Sequence, residues 1–433
     1  MRTRLKSWAI AWALVLATAQ FCSAAGFGIY EWSARGNALG GATVGRADDP
    51  SALATNPAGI TQLDGLQILA GFTAIHPVLD IRTNSPAGNE WASSDKDSLW
   101  VPPHFYATWK VNDRYTVGLG TFSRFGLGSV FDEDWEGRYN NYEAIIESMS
   151  INPNVAVKVT DKLSAAFGVD ATYLNFSKKQ KINWTGALNP NPAIDGDASL
   201  EADGWGYGFN MALHYMPCDY AKIGLSYRSP VTMDVNGKAD FSMPSVYEGT
   251  FLDNIGAFKD TNAHGTVTLP DSFSFGVAVY PTNKLSIEVG AVYTLWSKYD
   301  KLEIKYSDPV IFDTDTMSLK SVSSYDKNWE DVWRFNIGVE YAVLDWLDLR
   351  AGYVFDQSPV QDETIDYMVP ANDRHLLNGG LGFHWDNWVV DVNYTYLMIM
   401  DRDIDARPDD GVYEGEIDNA DAHMVGLSVG YKF

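Results

Sequence analysis

The segment that decides the fold is residues 285–295, which read LSIEVGAVYTL. Every second residue in it is apolar, namely Leu285, Ile287, Val289, Ala291, Tyr293 and Leu295. Between them lie mostly polar or small residues: Ser286, Glu288, Gly290 and Thr294. Because successive side chains of a strand point to opposite faces, this pattern predicts a strand with one apolar and one polar face.

The same period of two recurs along the whole chain. It is clearest in residues 333–341, 347–355 and 390–396. One or two such strands would fit a soluble sandwich, but the chain contains fourteen. The predicted strands are residues 66–82, 99–111, 115–126, 148–159, 162–183, 203–217, 219–240, 265–280, 284–306, 331–343, 346–357, 374–385, 387–403 and 421–433. Short turns alternate with long polar loops between them, which is typical of outer-membrane barrels. We therefore predict an all-β fold, a 14-stranded antiparallel transmembrane β-barrel.

Composition excludes several other classes of protein. The net charge is −24, so no basic patch is available for phosphates, and nucleic acid is excluded as a partner. A hydrophobic content of 46% excludes a disordered chain. After the N-terminus, no stretch approaches the roughly 18 consecutive apolar residues of a membrane helix.

The N-terminus predicts export. Three basic residues precede a short apolar run at residues 8–19, and small residues follow it. This is the pattern of a signal peptide, which we place at residues 1–24. Only Cys218 would then remain in the mature chain, which excludes an intramolecular disulfide.

The C-terminus and the strand ends indicate the cell outer membrane. The last strand ends in alternating apolar residues and a terminal aromatic, Phe433. Outer-membrane proteins commonly end this way, and we expect Phe433 to be read by the assembly machinery; the alternative is an ordinary last strand. Aromatic residues at predicted strand ends suit a girdle at the lipid and lipopolysaccharide interface: Tyr227, Tyr280, Tyr293, Trp296, Trp346, Tyr353, Trp385 and Trp388.

Residues 25–65 do not alternate and are rich in glycine and alanine. A periplasmic tail would be more polar, so we predict an N-terminal hatch folded inside the lumen. The domain organisation is then a signal peptide at 1–24, a hatch at 25–65 and a barrel at 66–433. The alternative for the second segment is a flexible extension.

An ordered series of short motifs carries a family resemblance. They are Ala25-Gly26-Phe27, Ala47-Asp48-Asp49-Pro50, Asn56-Pro57-Ala58, Tyr227-Arg228-Ser229-Pro230-Val231 with Gly237, Leu269-Pro270-Asp271-Ser272-Phe273, Trp329-Glu330-Asp331-Val332-Trp333-Arg334, Leu349-Arg350-Ala351-Gly352-Tyr353, Phe355-Asp356-Gln357-Ser358-Pro359-Val360, and Asp373-Arg374 with Gly380-Leu381-Gly382. Along nearly all of the mature sequence the chain resembles the FadL family of long-chain fatty acid transporters.

The resemblance implies a mechanism and some site residues. It implies a monomer that takes up hydrophobic molecules passively and without a cofactor, through extracellular loops, an internal pocket and a lateral gap. Asn56, Pro57 and Ala58 of the hatch would border that gap. Asp356 would hold the mature N-terminus near Phe27, as a switch.

Apolar residues of the loops are candidates for ligand capture, because exposed apolar patches often mark binding surfaces. We single out Trp100 and Phe131 from the set Trp91, Leu99, Trp100, Phe125, Leu127, Val130, Phe131, Trp135, Ile145 and Ile146. The alternative is that these side chains cap the barrel mouth or contact lipid.

A carboxylate ligand needs a cation. Lys327 lies near the position where the family carries a basic ligand residue, and the alternation turns Arg334 and Arg350 into the lumen. The alternative for both arginines is ion pairing with lumenal acids on neighbouring strands. The chain departs from the family on strand five, where Asn175 stands in place of an arginine. That departure keeps neutral or aromatic hydrocarbons open as ligands.

Other chemistry lacks support in the sequence. The seven histidines are scattered and form no metal-binding motif, and no G-x-S-x-G elbow occurs, so we predict neither a metal site nor an enzyme. The main alternative of another class is a general diffusion porin. A porin needs an open channel, whereas a hatch would close this one.

Overall fold

The computed structural model describes residues 26–85, 91–93, 98–184 and 192–433. They form a closed antiparallel barrel of 14 strands, which confirms the predicted fold class. The predicted signal peptide lies outside the described residues. The strands are β1 Leu66–Thr83, β2 Pro103–Lys110, β3 Tyr115–Phe122 with Gly126–Val130, β4 Glu143–Lys158, β5 Leu163–Ile182, β6 Gly196–Cys218, β7 Ala221–Arg228 with Val231–Ser242, β8 Thr261–Leu269 with Ser272–Thr282, β9 Leu285–Thr294 with Lys301–Tyr306, β10 Val322–Asp326 with Val332–Leu344, β11 Leu347–Asp356, β12 Arg374–Trp385, β13 Trp388–Ile399 and β14 Gly415–Lys432.

The barrel closes where β1 pairs with β14, in a register that runs from Gln67 opposite Lys432 to Thr83 opposite Gly415. Apolar and polar residues alternate along the strands in the direction expected of a membrane barrel, with apolar side chains outward. Val289 is 50% exposed on the outer surface, whereas its neighbour Glu288 is fully buried in the lumen. Apolar side chains therefore face lipid and polar ones face the interior.

Four neighbouring strands are interrupted at one level of the wall. The predictions of continuous strands at residues 219–240, 265–280 and 284–306 were therefore wrong, whereas the strand predicted at 331–343 begins at this level, as observed. The break follows Arg228 in β7 and Thr294 in β9, and it precedes Ser272 in β8 and Val332 in β10. The register aligns these four residues across the sheet. Pro230 and Pro270 lie in two of the breaks. Proline cannot donate to the ladder, so pairing stops there.

β3 is also interrupted, at residues 123–125, and β2 begins at Pro103 instead of residue 99. The upper segment Gly126–Val130 pairs with β4. Among the described residues it has no strand partner on the β2 side. The ladder is therefore open on one side of β3, above Phe122.

Residues 26–65 lie inside the barrel. They form helix α1 Ala34–Ala38, helix α2 Ala52–Thr55 and the 3₁₀ helix Pro57–Gln62. Ser33 caps α1, because its side chain accepts a hydrogen bond from the Gly36 N–H. α1 packs against β11–β14, and the 3₁₀ helix packs against β3–β6. This segment is called the hatch below.

Ion pairs and hydrogen bonds hold the hatch to the wall. Arg35 bonds both oxygens of Glu340, at 2.9 Å each. The backbone N–H groups of Gly45 and Arg46 each donate to Glu288 at 2.8 Å. The largest apolar cluster lies higher in the lumen, toward the long loops, where the loops fold over the mouth. No helix among the described residues is long and apolar enough to cross a membrane.

Candidate ligand-binding site

The strand breaks turn aromatic side chains into the lumen around Phe27. The phenyl ring of Phe27 is 1% exposed. Its centroid lies 4.8 Å from that of Trp296, 5.2 Å from Tyr299, 5.6 Å from Trp329 and 6.0 Å from Phe125. Most of these contacts are edge-on, which is the favoured geometry of aromatic pairs. These five rings are called the aromatic cluster.

The backbone around Phe27 pairs with the break in β3. The Ile29 N–H donates to the Arg124 carbonyl at 2.8 Å, and the Gly126 N–H donates to the Phe27 carbonyl at 2.8 Å. Gly26 has φ +60, and a Cβ there would lie 2.8 Å from the Trp296 ring. A side chain at residue 26 would therefore disturb the aromatic cluster. The N-terminal end of the hatch thus fills the gap in the β3 ladder.

A small apolar chamber of about 40 Å³ lies above Phe27. Its walls come from β4–β9, where these strands extend toward the long loops. The wall side chains include Leu174 and Phe176 of β5, Ala202 of β6, Val267 of β8 and Ile304 of β9. Walls that are mainly apolar are typical of sites for small hydrophobic ligands.

A wider polar basin of about 610 Å³ opens above the chamber and shares Leu200 and Ile304 with it. Lys178 of β5 lines the basin and is 7% exposed. Its Nζ donates to Gln180 at 2.5 Å and lies 4.8 Å from the centroid of the Tyr325 ring. In the described part of the chain, no carboxylate forms an ion pair with Lys178, although it is buried.

Lys178 and Asn175 face opposite ways. Asn175 lies outward, where it donates to Glu147 on β4 at 3.3 Å. Lys179 also lies outward and pairs with Glu143 at 3.1 Å. Lys178 is therefore an inward cation of strand five.

The predicted ligand cations are engaged in ion pairs. Arg334 donates to Asp356 at 2.8 Å, and Arg350 donates to Asp391 at 2.5 Å. The alternation correctly placed both arginines in the lumen. In the structure each of them pairs with an aspartate of a neighbouring or nearby strand.

Lys327 and Asp366 form a buried ion pair below the loops. Burial by itself raises the pKa of Asp366, but the ammonium of Lys327 outweighs that effect and holds the pKa below its usual value. Contact of Lys327, Arg334 or Arg350 with a ligand stays a prediction.

Asp356 lies between two arginines, because Arg374 also donates to it, at 2.5 Å. Arg334 lies in turn over the ring of Tyr30, with its Cζ 4.4 Å from the centroid. The hatch therefore approaches Asp356 through Tyr30. The predicted bond from Asp356 to the mature N-terminus involves residue 25, which lies outside the described residues, and it stays a prediction.

Most of the predicted capture residues are buried instead of exposed. Trp100 is 4% exposed and pairs through its backbone with Ile75 of β1. Phe131 stacks on Trp135 with ring centroids 4.2 Å apart. Trp91 and Leu99 alone in the set of ten are classed as exposed. Eight of the ten are therefore buried or partly buried, and capture of a ligand by these residues stays a prediction.

Asn56, Pro57 and Ala58 are buried against the wall. The Asn56 side chain donates to the carbonyls of Val44 and Leu213, at 2.8 and 3.1 Å, and accepts from the Ala58 N–H. The β3–β6 wall next to them is hydrogen-bonded. The ladder is open at residues 123–125, and a role of Asn56, Pro57 and Ala58 in a lateral gate stays a prediction.

Sequence reasoning missed Trp296, Tyr299 and Trp329 as lumenal residues. Trp296 was predicted in the interfacial girdle, but it is 2% exposed inside the barrel, because the 3₁₀ turn Trp296–Lys298 shifts the alternation. Pro230 and Pro270 were the available signals for breaks. Trp346, Trp385 and Trp388, by contrast, are exposed on the outer surface as predicted.

Comparisons with known proteins agree with this architecture. The family model described as outer membrane protein transport protein (OMPP1/FadL/TodX) matches residues 15–433. The long-chain fatty acid transport protein of Salmonella typhi is 27% identical over 452 residues, which cover 100% of this chain and 99% of that protein.

Two solved structures share the fold. A Pseudomonas aeruginosa FadL homologue has a TM-score of 0.83 at 18% identity and covers 94% of this chain and 99% of its own. The Ralstonia pickettii toluene transporter TbuX has a TM-score of 0.67 at 18% identity, with 92% and 97% covered. At these identities the likeness shows the fold alone. With the family match over nearly its whole length, the chain belongs to the OMPP1/FadL/TodX family of transport proteins of the cell outer membrane.

Proposed function

We propose that this protein takes up long-chain fatty acids passively across the outer membrane. The observation that carries the proposal is the apolar chamber, with the unpaired ammonium of Lys178 on the basin next to it. The fatty acid names of relatives such as the Salmonella typhi protein agree with it. Family members transport hydrophobic compounds, and the chamber and Lys178 favour a ligand with one acidic end.

Burial of an ammonium without a carboxylate is costly. A bound fatty acid relieves that cost, because its carboxylate can bond Lys178 while its alkyl chain fills the chamber. Each buried methylene contributes about 0.8 kcal/mol. The chain therefore supplies most of the affinity, and Lys178 supplies the selectivity for an acid.

Phe27 closes the chamber from below. Ligand can pass only if the phenyl ring leaves the aromatic cluster, which requires the segment around residues 26–29 to shift. This proposal keeps Phe27 as the switch. Below Phe27 the hatch occupies most of the lumen and leaves only small cavities, so the proposed mechanism is that of a carrier of hydrophobic molecules and not of an open channel.

Lateral release is proposed at the break in β3. The ladder is open there on the β2 side, and the hatch covers the opening with Gly28 and Ile29. Asn56, Pro57 and Ala58 then act as the fixed base of the gate, since they are hydrogen-bonded to the wall. The moving part is the N-terminal end of the hatch.

Ligand titration in detergent tests the function, with Trp fluorescence as the readout. Saturable binding of oleate is expected, and Lys178→Gln should weaken it about tenfold, as loss of a hydrogen bond to a charged group does. The matched control is Lys179→Gln, one residue away on the outer face, which should bind oleate normally. Methyl oleate should bind both variants equally. Equal oleate affinity in all three proteins would refute the role of Lys178.

Neutral aromatic hydrocarbons are the second candidate. The aromatic cluster favours them, because its rings already hold one phenyl group edge-on. Saturable binding of toluene without binding of oleate would support this candidate. No binding of either, with a large steady conductance in planar bilayers, would support the porin alternative.

A further inference from the structure

Arg124 is a buried cation with an unused donor. It lies in the break of β3, and its side chain is 4% exposed. Its Nη1 has no hydrogen-bond partner among the described residues, and the nearest carboxylate oxygen, on Asp170, is 3.8 Å away. A buried unsatisfied donor of this kind is uncommon and calls for a partner.

Arg124 lines a cavity below the aromatic cluster. The cavity is small, about 20 Å³, so it can hold a head group only after the side chains that line it have shifted. Its floor and sides include Tyr30 and Trp32 of the hatch, and its roof includes Phe125 and Trp296 of the aromatic cluster. A second small cavity of about 30 Å³ shares Tyr30, Trp32, Arg228 and Ser272 with it. The two cavities therefore lie on the inner side of Phe27, beyond the apolar chamber.

The other cations near this cavity are already occupied. Arg228 donates to both oxygens of Asp170, at 3.2 and 3.1 Å, and also to the carbonyls of Leu53 and Ala54. Asp170 is thus neutralised without Arg124.

A second group of charges lies nearby. Arg334 and Arg374 share the single carboxylate of Asp356, and Lys298 pairs with Asp271 at 2.5 Å. Counted together, three aspartates face four arginines and one lysine, so these groups carry a surplus of positive charge.

We propose that this cavity is an inner carboxylate subsite, in which Arg124 binds the head group of the fatty acid after it has passed Phe27. The proposal rests on the proposed function above. A guanidinium presents parallel N–H groups that match a carboxylate, and such charge-assisted bonds are the strongest in proteins. The aromatic and aliphatic roof accepts the first part of the alkyl chain.

With this subsite, the path of the fatty acid contains two positions that bind its carboxylate. Lys178 meets the carboxylate on the outer side of Phe27, and Arg124 meets it on the inner side. A cation on the inner side of Phe27 lowers the desolvation free energy of moving a carboxylate into a lumen that excludes water. Arg124 also borders the opening of β3, so the inner carboxylate subsite lies beside the proposed site of lateral release.

The test is carboxyl NMR of oleate labelled with ¹³C at C1, titrated into the full-length protein in detergent. Wild-type protein should show two bound carboxyl signals. Arg124→Gln should remove one, Lys178→Gln the other, and Arg124→Lys should keep the inner signal at a shifted position with about tenfold weaker binding. Asp170 keeps its bonds to Arg228 in both Arg124 variants, and heat-modifiable gel mobility checks that they are folded.

Each outcome decides between the proposals. A single bound signal that Lys178→Gln removes and Arg124→Gln leaves unchanged would overturn the inner subsite while the proposed function stands. An inner signal in Arg124→Lys with wild-type position and affinity would also overturn it. No bound signal in the wild-type protein would instead contradict the proposed function itself.

Discussion

Replacement of Phe27 by alanine should loosen the N-terminal end of the hatch. The phenyl ring is buried among four other rings, and loss of a fully buried phenylalanine costs about 3–5 kcal/mol. Two backbone hydrogen bonds to the β3 break remain, each worth about 1 kcal/mol. The ring is therefore the main contribution that keeps this segment in place.

The magnitude follows from the lost burial. About 1.4 kcal/mol corresponds to a tenfold change in an equilibrium constant, so 3 kcal/mol raises local opening by more than about 100-fold. Hydrogen exchange measures this opening through the N–H groups of Ile29 and Gly126, which are bonded across the break. Both should lose about 100-fold protection in Phe27→Ala.

Phe131→Ala is the matched control. Phe131 is equally buried, but it stacks on Trp135 in the loops, so its loss should leave exchange at Ile29 and Gly126 unchanged. Wild-type protection at both amides in Phe27→Ala would show that the backbone, and not the ring, closes the lumen. That result would refute the assignment of Phe27 as the switch.

Three further predictions concern the ion pairs and the hatch. Asp366→Asn leaves Lys327 buried without its partner and should cost about 3–5 kcal/mol in urea unfolding at pH 7. Asp362 pairs with Arg402 but is itself exposed to water, so Asp362→Asn should cost under about 1 kcal/mol. The pKa of Asp366 is lowered in the folded protein, so the stability that this carboxylate contributes is present above about pH 4 and is lost as pH falls through the folded pKa. The loss of unfolding free energy in Asp366→Asn should therefore become smaller in acid. A loss that stays constant with pH would contradict the ion pair. A Cβ at Gly224 would overlap the hatch backbone, so Gly224→Ala should raise planar-bilayer conductance, while Gly379→Ala, with its nearest contact at 3.9 Å, should not.

The barrel was predictable because its physical cause is local. A strand that separates lipid from a polar lumen must alternate, and the alternation of residues 285–295 needs no knowledge of other strands. The same rule placed Arg334 and Arg350 in the lumen. Applied to β5, it also identifies Lys178 as inward, although the family comparison pointed to Asn175.

The aromatic cluster was not predictable from alternation. Trp296 and Trp329 lie in breaks, where the phase of the strand is lost and the direction of a side chain depends on the local turn. The burial of loop residues such as Phe131 depends on contacts between distant loops, for example the bond from Ser129 to the Tyr367 carbonyl at 3.0 Å. Such contacts leave no periodic signal in the sequence.

The most direct test of the central claim is a crystal structure with a long-chain fatty acid that carries bromine at its terminal carbon. Anomalous scattering locates the bromine without dependence on the rest of the ligand. The account predicts bromine inside the apolar chamber, near Leu174 and Val267, with the carboxylate within hydrogen-bond distance of the Lys178 Nζ. Bromine found only on the outer surface of the barrel, with an empty chamber, would contradict it.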